Sequence, residues 1–356
     1  MNRAAALKIA VILLALCLAL FPLPAPWVET FYSSGIYPRL QLLLTPLSNL
    51  APFAVADAFL ILLVAGLFVW WIVGIRLAGH GKRLRALGRL AFNTLMLAAV
   101  IYLLFLSLWG FNYIRKPLAA KLEYDEQRIT PQALNQLTRL TIENLNAESA
   151  AARSTLWPEE EEWRRNLLSS LNATVTEMGR GRGIAPGIPK TSLFNPYLAA
   201  TGTEGFMNPF ALEVVLDKEL LPVEKPFTLA HEWAHLVGFA DESEASFIGL
   251  LACLRSDAAA LRYAGWLALY HHLPRKSDDG TMPRPAPEVV ADLRAIAERV
   301  RKHINPTLQQ AQAQVYDGFL KANRVEAGIA SYGLMLRLVL GTRFESEWTP
   351  ALRPGP

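Results

Sequence analysis

The chain has 356 residues, of which 52% are hydrophobic and 19% charged, with a formal net charge of +4. Its positive mean hydropathy excludes a water-soluble globule throughout and points to a membrane part joined to one globular domain. Two cysteines far apart, Cys17 in an apolar run and Cys253 downstream, exclude a disulfide framework.

Three apolar runs occupy the first third, over about residues 5–24, 53–75 and 90–111. Each has roughly the 20 residues that a helix needs to cross a bilayer. The first opens on Arg3 and Lys8, as a cleaved signal peptide would. Leu and Pro surround any cleavage point, so it is expected to stay as a span. Arg76, Lys82, Arg83, Arg85 and Arg89 crowd the loop between the second and third runs. Short loops rich in Lys and Arg stay in the cytoplasm. This predicts a cytoplasmic N-terminus and puts everything after the third run on the extracytoplasmic, periplasmic side. Arg115 and Lys116, just past that run, are fewer than the five in the loop. No aromatic interleaving or binding motif accompanies the basic loop, so the expected partner is the lipid bilayer and not nucleic acid.

Residues 27–49 read either as an interfacial amphipathic helix or as a loop with aromatic residues at headgroup level. Asp57 has no partner acid at helical spacing and is read as an interface residue, not a catalytic one. The division expected is a membrane domain, 1–116, and a mostly helical domain, 117–356.

From Leu122 the composition changes. Thr130-Pro131 reads as an N-cap with proline at the first helical position, opening a helix to about Asn146. A second helix begins near Pro158, where Glu159 to Glu162 suit the positive end of a helix dipole better than a metal site. Gly179-Arg180-Gly181-Arg182-Gly183 breaks it and lacks the strand of a nucleotide-binding loop. Residues 184–216 read as extended, with a short strand over 210–216, either an edge strand for substrate or one arm of a hairpin. The rest is helical, over about 227–237, 242–254, 257–272, 287–303, 308–322 and 326–340. The fold class is therefore mainly α, with a short β-hairpin or edge strand.

The chemistry lies in His231-Glu232-Trp233-Ala234-His235, an HExxH pattern. Residues four apart share a helix face, so both histidines can reach one Zn2+ ion. Glu232 sits where it can take a proton from a water on that ion. Gly238 supplies a helix stop. A catalytic zinc needs a third protein ligand and an open position. Asp241, Glu242 and Glu244 are the candidates. Glu242 and Glu244 point about 200° apart on a helix, so one alone can face the metal. The Glu242 face continues through Ala245, Ser246, Gly249 and Cys253, small residues that let two helices approach. Glu242 ranks first, Glu244 second and Asp241 third, with Ser246 placed to steady the Glu242 carboxylate. His271-His272 ends a helix and reads as a C-terminal cap.

The chain resembles the bacterial membrane proteins grouped as domain of unknown function 3810. The matching stretches are Trp109 to Pro117, Gly205 to Phe210, His231 to Phe247, Tyr316-Asp317 and Ser331-Tyr332. The resemblance implies a zincin-like fold, with an HExxH helix followed closely by a Glu-bearing helix. Ser246 stands where that family pattern leads one to expect Asn. The expected activity is that of a zinc metallopeptidase acting on a peptide or protein substrate, with Glu232 as general base and Tyr332 as a donor to the oxyanion. The rival expectation is a membrane sensor whose metal site is structural or vestigial.

Overall fold

The computed structural model describes residues 3–154, 157–178, 183–274, 282–346 and 348–353. The glycine-arginine cluster, over 179–182, falls outside them. The described residues are mostly helical, with one two-stranded sheet.

Among the described residues, three helices are long and apolar enough to cross a membrane: α1 (Arg3–Leu20), α4 (Val55–Arg76) and α5 (Arg83–Leu108). Between α1 and α4 the chain is helical, as α2 (Ala25–Trp27), a π-helical stretch (Val28–Ile36) and α3 (Tyr37–Asn49). Residues 27–49 are thus helical and not a loop. The polar bonds between the long helices fix their directions. Lys8 Nζ, near the start of α1, donates to Asn93 Oδ1 at 2.6 Å, and Tyr32 OH, shortly after α1 ends, donates to Ser107 O at 3.1 Å near the end of α5, so α1 and α5 run the same way. Trp71 Nε1 donates to Thr94 Oγ1 at 3.0 Å across the α4–α5 turn. The end of α1, the start of α4 and the end of α5 therefore lie at one end of the bundle, and the basic loop lies at the other.

The remaining elements gather at that first end. They are α6 (Pro131–Arg153), α7 (Glu160–Glu177), α8 (Asn195–Thr201), β1 (Gly205–Asn208), β2 (Glu213–Leu216), α9 (Lys225–Val237), α10 (Glu242–Leu254), α11 (Ala259–His272), α12 (Pro287–His303), α13 (Pro306–Ala322) and α14 (Met335–Gly341). Thr130 caps α6 through Ala133 N at 3.1 Å, and α6 runs on to Arg153, beyond the expected stop. The helix expected over 326–340 is instead a 3-10 stretch, Gly328–Leu334, followed by the short α14. His272 ends α11, with Nδ1 2.9 Å from Ala268 O.

The strand predicted over 210–216 is shorter, and it has a partner. β1 pairs antiparallel with β2 in the register Gly205 with Leu216 and Asn208 with Glu213. On its other side β2 bridges Lys190, through Lys190 N to Val214 O at 3.0 Å and Leu216 N to Lys190 O at 2.9 Å. So β2 is the inner strand and β1 the edge.

The core is built on α10, whose residues are all buried. It packs against α9, α7, α11 and α14. Its contact with α9 is the closest, because Gly249 faces the α9 backbone. A Cβ on Gly249 would lie 2.9 Å from His231 N. The small-residue face read from the sequence is the face that makes this crossing.

The two expected domains share one core. Phe105, Leu106 and Trp109, at the end of α5, are buried with the residues of α9 and α10. The start of α4 is held by polar groups from the outer part. Val55 N and Ala56 N donate to Glu213 at 3.0 and 2.6 Å, and Lys190 Nζ lies 2.8 Å from the same carboxylate. Asp57 accepts from Ser192 Oγ and Leu193 N, each at 2.6 Å.

Candidate metal centre

His231 and His235 are one turn apart on α9, and Glu242 is the first residue of α10. Gly238 makes the turn between them in the left-handed region, at φ 96°, which glycine adopts without a Cβ penalty. The turn brings three ligand atoms together. Glu242 Oε2 lies 3.1 Å from His231 Nε2 and 3.4 Å from His235 Nε2, and the two Nε2 atoms are 3.1 Å apart.

This donor set fits a small cation. A tetrahedral ion with ligand distances of about 2.0–2.1 Å separates its ligands by roughly 3.3 Å, close to the spacing observed. The outer nitrogens are also committed as ligand histidines require. His235 Nδ1 lies 2.6 Å from Phe239 O. A carbonyl can only accept, so Nδ1 carries the hydrogen, and a neutral ring would present its Nε2 lone pair to the cluster. His231 Nδ1 sits 3.1 Å from Ser246 Oγ. Ser246 therefore steadies the histidine and not the Glu242 carboxylate. Two lone pairs and a carboxylate oxygen at this spacing repel one another unless a proton or a cation lies between them.

The electrostatics of the cluster carry the same tension. Burial opposes charge on His235, but Glu242 outweighs it and lifts the ring to about 9. Burial also raises Glu242, yet the two histidines hold it well below the usual carboxylate range. His231 is pushed down, first by burial.

The other acids point elsewhere. Glu244 turns to the opposite side of α10, where Oε1 accepts from Leu118 N at 2.5 Å. Burial lifts it to about 7. Asp241 is the N-cap of α10, accepting from Ser243 N at 2.9 Å and Glu244 N at 3.2 Å. Among the described residues, the cluster with metal-ligand spacing is His231, His235 and Glu242.

A cleft of about 230 Å³ opens onto this cluster. Glu232 lines it, and among the described residues its buried Oε2 has no hydrogen-bond partner. Burial raises this carboxyl to about 8. Gly205 leaves it room, since a Cβ there would lie 3.0 Å from Glu232 Oε1. β1 forms one wall. Asp217 N donates to Glu204 O, so the ladder alternation puts the backbone groups of Gly205 and Met207 on the edge away from β2. Aromatic side chains form the opposite wall, with Phe105, Trp109 and Tyr113 from the end of α5 and beyond and Phe319 from α13.

The family described as Protein of unknown function (DUF3810) matches residues 32–340. The chain belongs to that family. Among the curated proteins and the solved structures compared with it, none matches.

Two groups of site residues escaped the reading of the sequence. Tyr316, on α13, donates its hydroxyl to Glu242 Oε1. It lies in a stretch that the family resemblance had marked, without a role attached. The side chain of Tyr332 lies outside the described residues. The second group caps α9. A helix leaves its last carbonyls without intrahelical partners; here Gly238 N donates to His235 O at 2.8 Å, and side chains from near the apolar helices supply further donors. Tyr37 OH donates to Leu236 O at 2.8 Å, Trp109 Nε1 to His235 O at 3.0 Å, and Arg115 Nη1 to Gly238 O at 2.9 Å. Trp109 and Arg115 also stand in a stretch the resemblance had marked. Tyr37 had no signal, being separated by 199 positions from its acceptor.

Proposed function

We propose that this protein is a membrane-anchored, zinc-dependent hydrolase of zincin-like type, and most specifically a peptidase. The observation that carries the reading is the convergence of His231 Nε2, His235 Nε2 and Glu242 Oε2 beside the unpaired carboxyl oxygen of Glu232. A purely structural site has no use for that acid. A cation held by the three ligands supplies Lewis-acid polarisation. Glu232, aimed into the cleft, takes the proton of a water attacking the substrate carbonyl and hands it to the leaving nitrogen. The outward backbone edge of β1 suits an extended polypeptide, which adds to it as a strand. The aromatic wall selects an apolar side chain beside the bond that is cut. Tyr332 keeps its proposed part as oxyanion donor on sequence grounds. The Lys/Arg bias of the basic loop supports a cytoplasmic N-terminus and an extracytoplasmic cleft.

The test is metal content and hydrolysis of the full-length chain in lipid nanodiscs. The wild type is expected to hold about one zinc per chain, and His231→Ala to lose it. Glu232→Gln keeps the zinc and loses hydrolysis of an unstructured protein such as casein. A wild type without zinc, or a Glu232→Gln chain as active as wild type, overturns the reading.

A further inference from the structure

Val28, Tyr32 and Tyr37 tie the first half of the stretch from Ala25 to Asn49 into the core, but beyond Tyr37 it is built inside out. Its inward side is polar. Gln41 Nε2 donates to Ala185 O at 2.7 Å, Thr45 Oγ1 to Leu212 O at 2.7 Å, and Ser48 O accepts from Lys190 Nζ at 2.6 Å. Gln41, Thr45 and Ser48 are all buried. The outward side is leucine, with Leu43 60%, Leu47 54% and Leu50 80% exposed. In water the helix would be oriented the other way, because polar groups are costly to bury and apolar area is costly to expose.

Its place in the chain says what covers the leucines. It starts just after α1 ends at Leu20 and stops just before α4 begins at Val55. Both points lie at the same end of the bundle of apolar helices. A helical stretch roughly 35 Å long that leaves and rejoins one level runs along that level and not across it. Its exposed leucines are therefore continuous with the lipid-facing sides of α1 and α4. The same level carries another apolar edge. Arg324, just past α13, donates to Ala19 O at 2.8 Å, and α13 exposes Leu308, Val315 and Phe319.

We infer that Ala25–Asn49 is an interfacial helix, seated with its leucine side in the acyl chains of the leaflet where α1 and α4 end. Its polar side is the platform that carries the candidate metal centre, through Tyr37 and the α9 carbonyl it holds. The inference does not rest on the proposed hydrolase activity.

The experiment uses the full chain with Cys17→Ala, since Cys17 is exposed and Cys253 is buried. Leu43→Cys and Leu47→Cys each receive a bimane label, with Glu161→Cys as a control in the exposed acidic start of α7. The proteins are reconstituted in phosphatidylcholine–phosphatidylglycerol vesicles with increasing fractions of brominated acyl chains. A label roughly 5–10 Å below the headgroups is expected to lose about half its emission at the highest fraction, and the Glu161 position to lose none. Emission at Leu43 and Leu47 that is indifferent to bromine overturns the inference. So does a disulfide-linked pair of unlabelled Leu47→Cys chains, which would make a second copy the cover.

Discussion

The Tyr316 hydroxyl donates to one oxygen of Glu242 while the other oxygen faces His231 and His235. The carboxylate is thus fixed from α13, an element far along the chain from the HExxH helix. Removing a hydrogen bond that orients a ligand typically costs 10–100-fold in metal affinity. Tyr316→Phe is expected to weaken zinc binding by about tenfold, read by competition with a chelator of known affinity. The thermal unfolding of the metal-free protein should stay close to wild type, which separates a ligand-orienting role from a structural one.

The α9–α10 crossing gives a second expectation. Gly249 has no room for a side chain, because the nearest atom is backbone and cannot swing aside. Gly249→Ala should cost about 1–3 kcal/mol by overpacking and spread Glu242 away from the histidines. Denaturant melts together with zinc stoichiometry check this, with both falling. Gly205→Ala is the milder companion. It meets the ends of the Leu216 and Glu232 side chains, so hydrolysis is expected to drop while zinc content holds.

Lys190 and Glu213 form a buried pair at 2.8 Å, and Glu213 also caps the start of α4. Burial raises the Glu213 pKa, but Lys190, Asn208 and the two backbone N–H groups outweigh it, leaving the group below its ordinary value of 4.5. A carboxyl depressed on folding adds stability that is whole above 4.5 and is lost as pH falls through the folded value. The unfolding temperature should therefore drop on acidification below about pH 4.5. Glu213→Gln should flatten that part of the profile, and it should destabilise by about 3–5 kcal/mol near neutral pH because Lys190 is left buried and unpaired.

An excised chain covering 117–356 lacks Tyr37, Trp109 and Arg115, the three side-chain donors to the α9 carbonyls. Each buried carbonyl stripped of its partner costs about 1–3 kcal/mol. The excised piece is expected to bind no zinc and to melt without a cooperative transition, measured by circular dichroism beside the full chain. Tyr37→Phe in the full chain removes the hydroxyl from Leu236 O alone and should cost about 1–3 kcal/mol by the same measure.

What the sequence made legible follows from local periodicity. The apolar lengths marked the three long helices, HExxH and Gly238 marked the turn at the site, and the 200° argument separated Glu242 from Glu244. Contacts between distant segments left no such trace. β1 is four residues long and contains a glycine, so it looks like loop until β2 is set beside it. Gln41, Thr45 and Ser48 read as ordinary polar residues, and only the folded chain shows them turned inward. The 1–116 and 117–356 division follows the change in composition faithfully, but composition is silent about a core that both parts share.

A helix gripped at one carbonyl can swivel about its own axis. Here the carbonyls of His235, Leu236 and Gly238 are each taken by a different side chain, from two separate segments near the bilayer end of the fold. The azimuth of the histidine helix is thereby keyed to the relative position of α3 and the end of α5. Displacing either segment would turn the helix, so the packing of α3 against the end of α5 sets how His231 and His235 face Glu242.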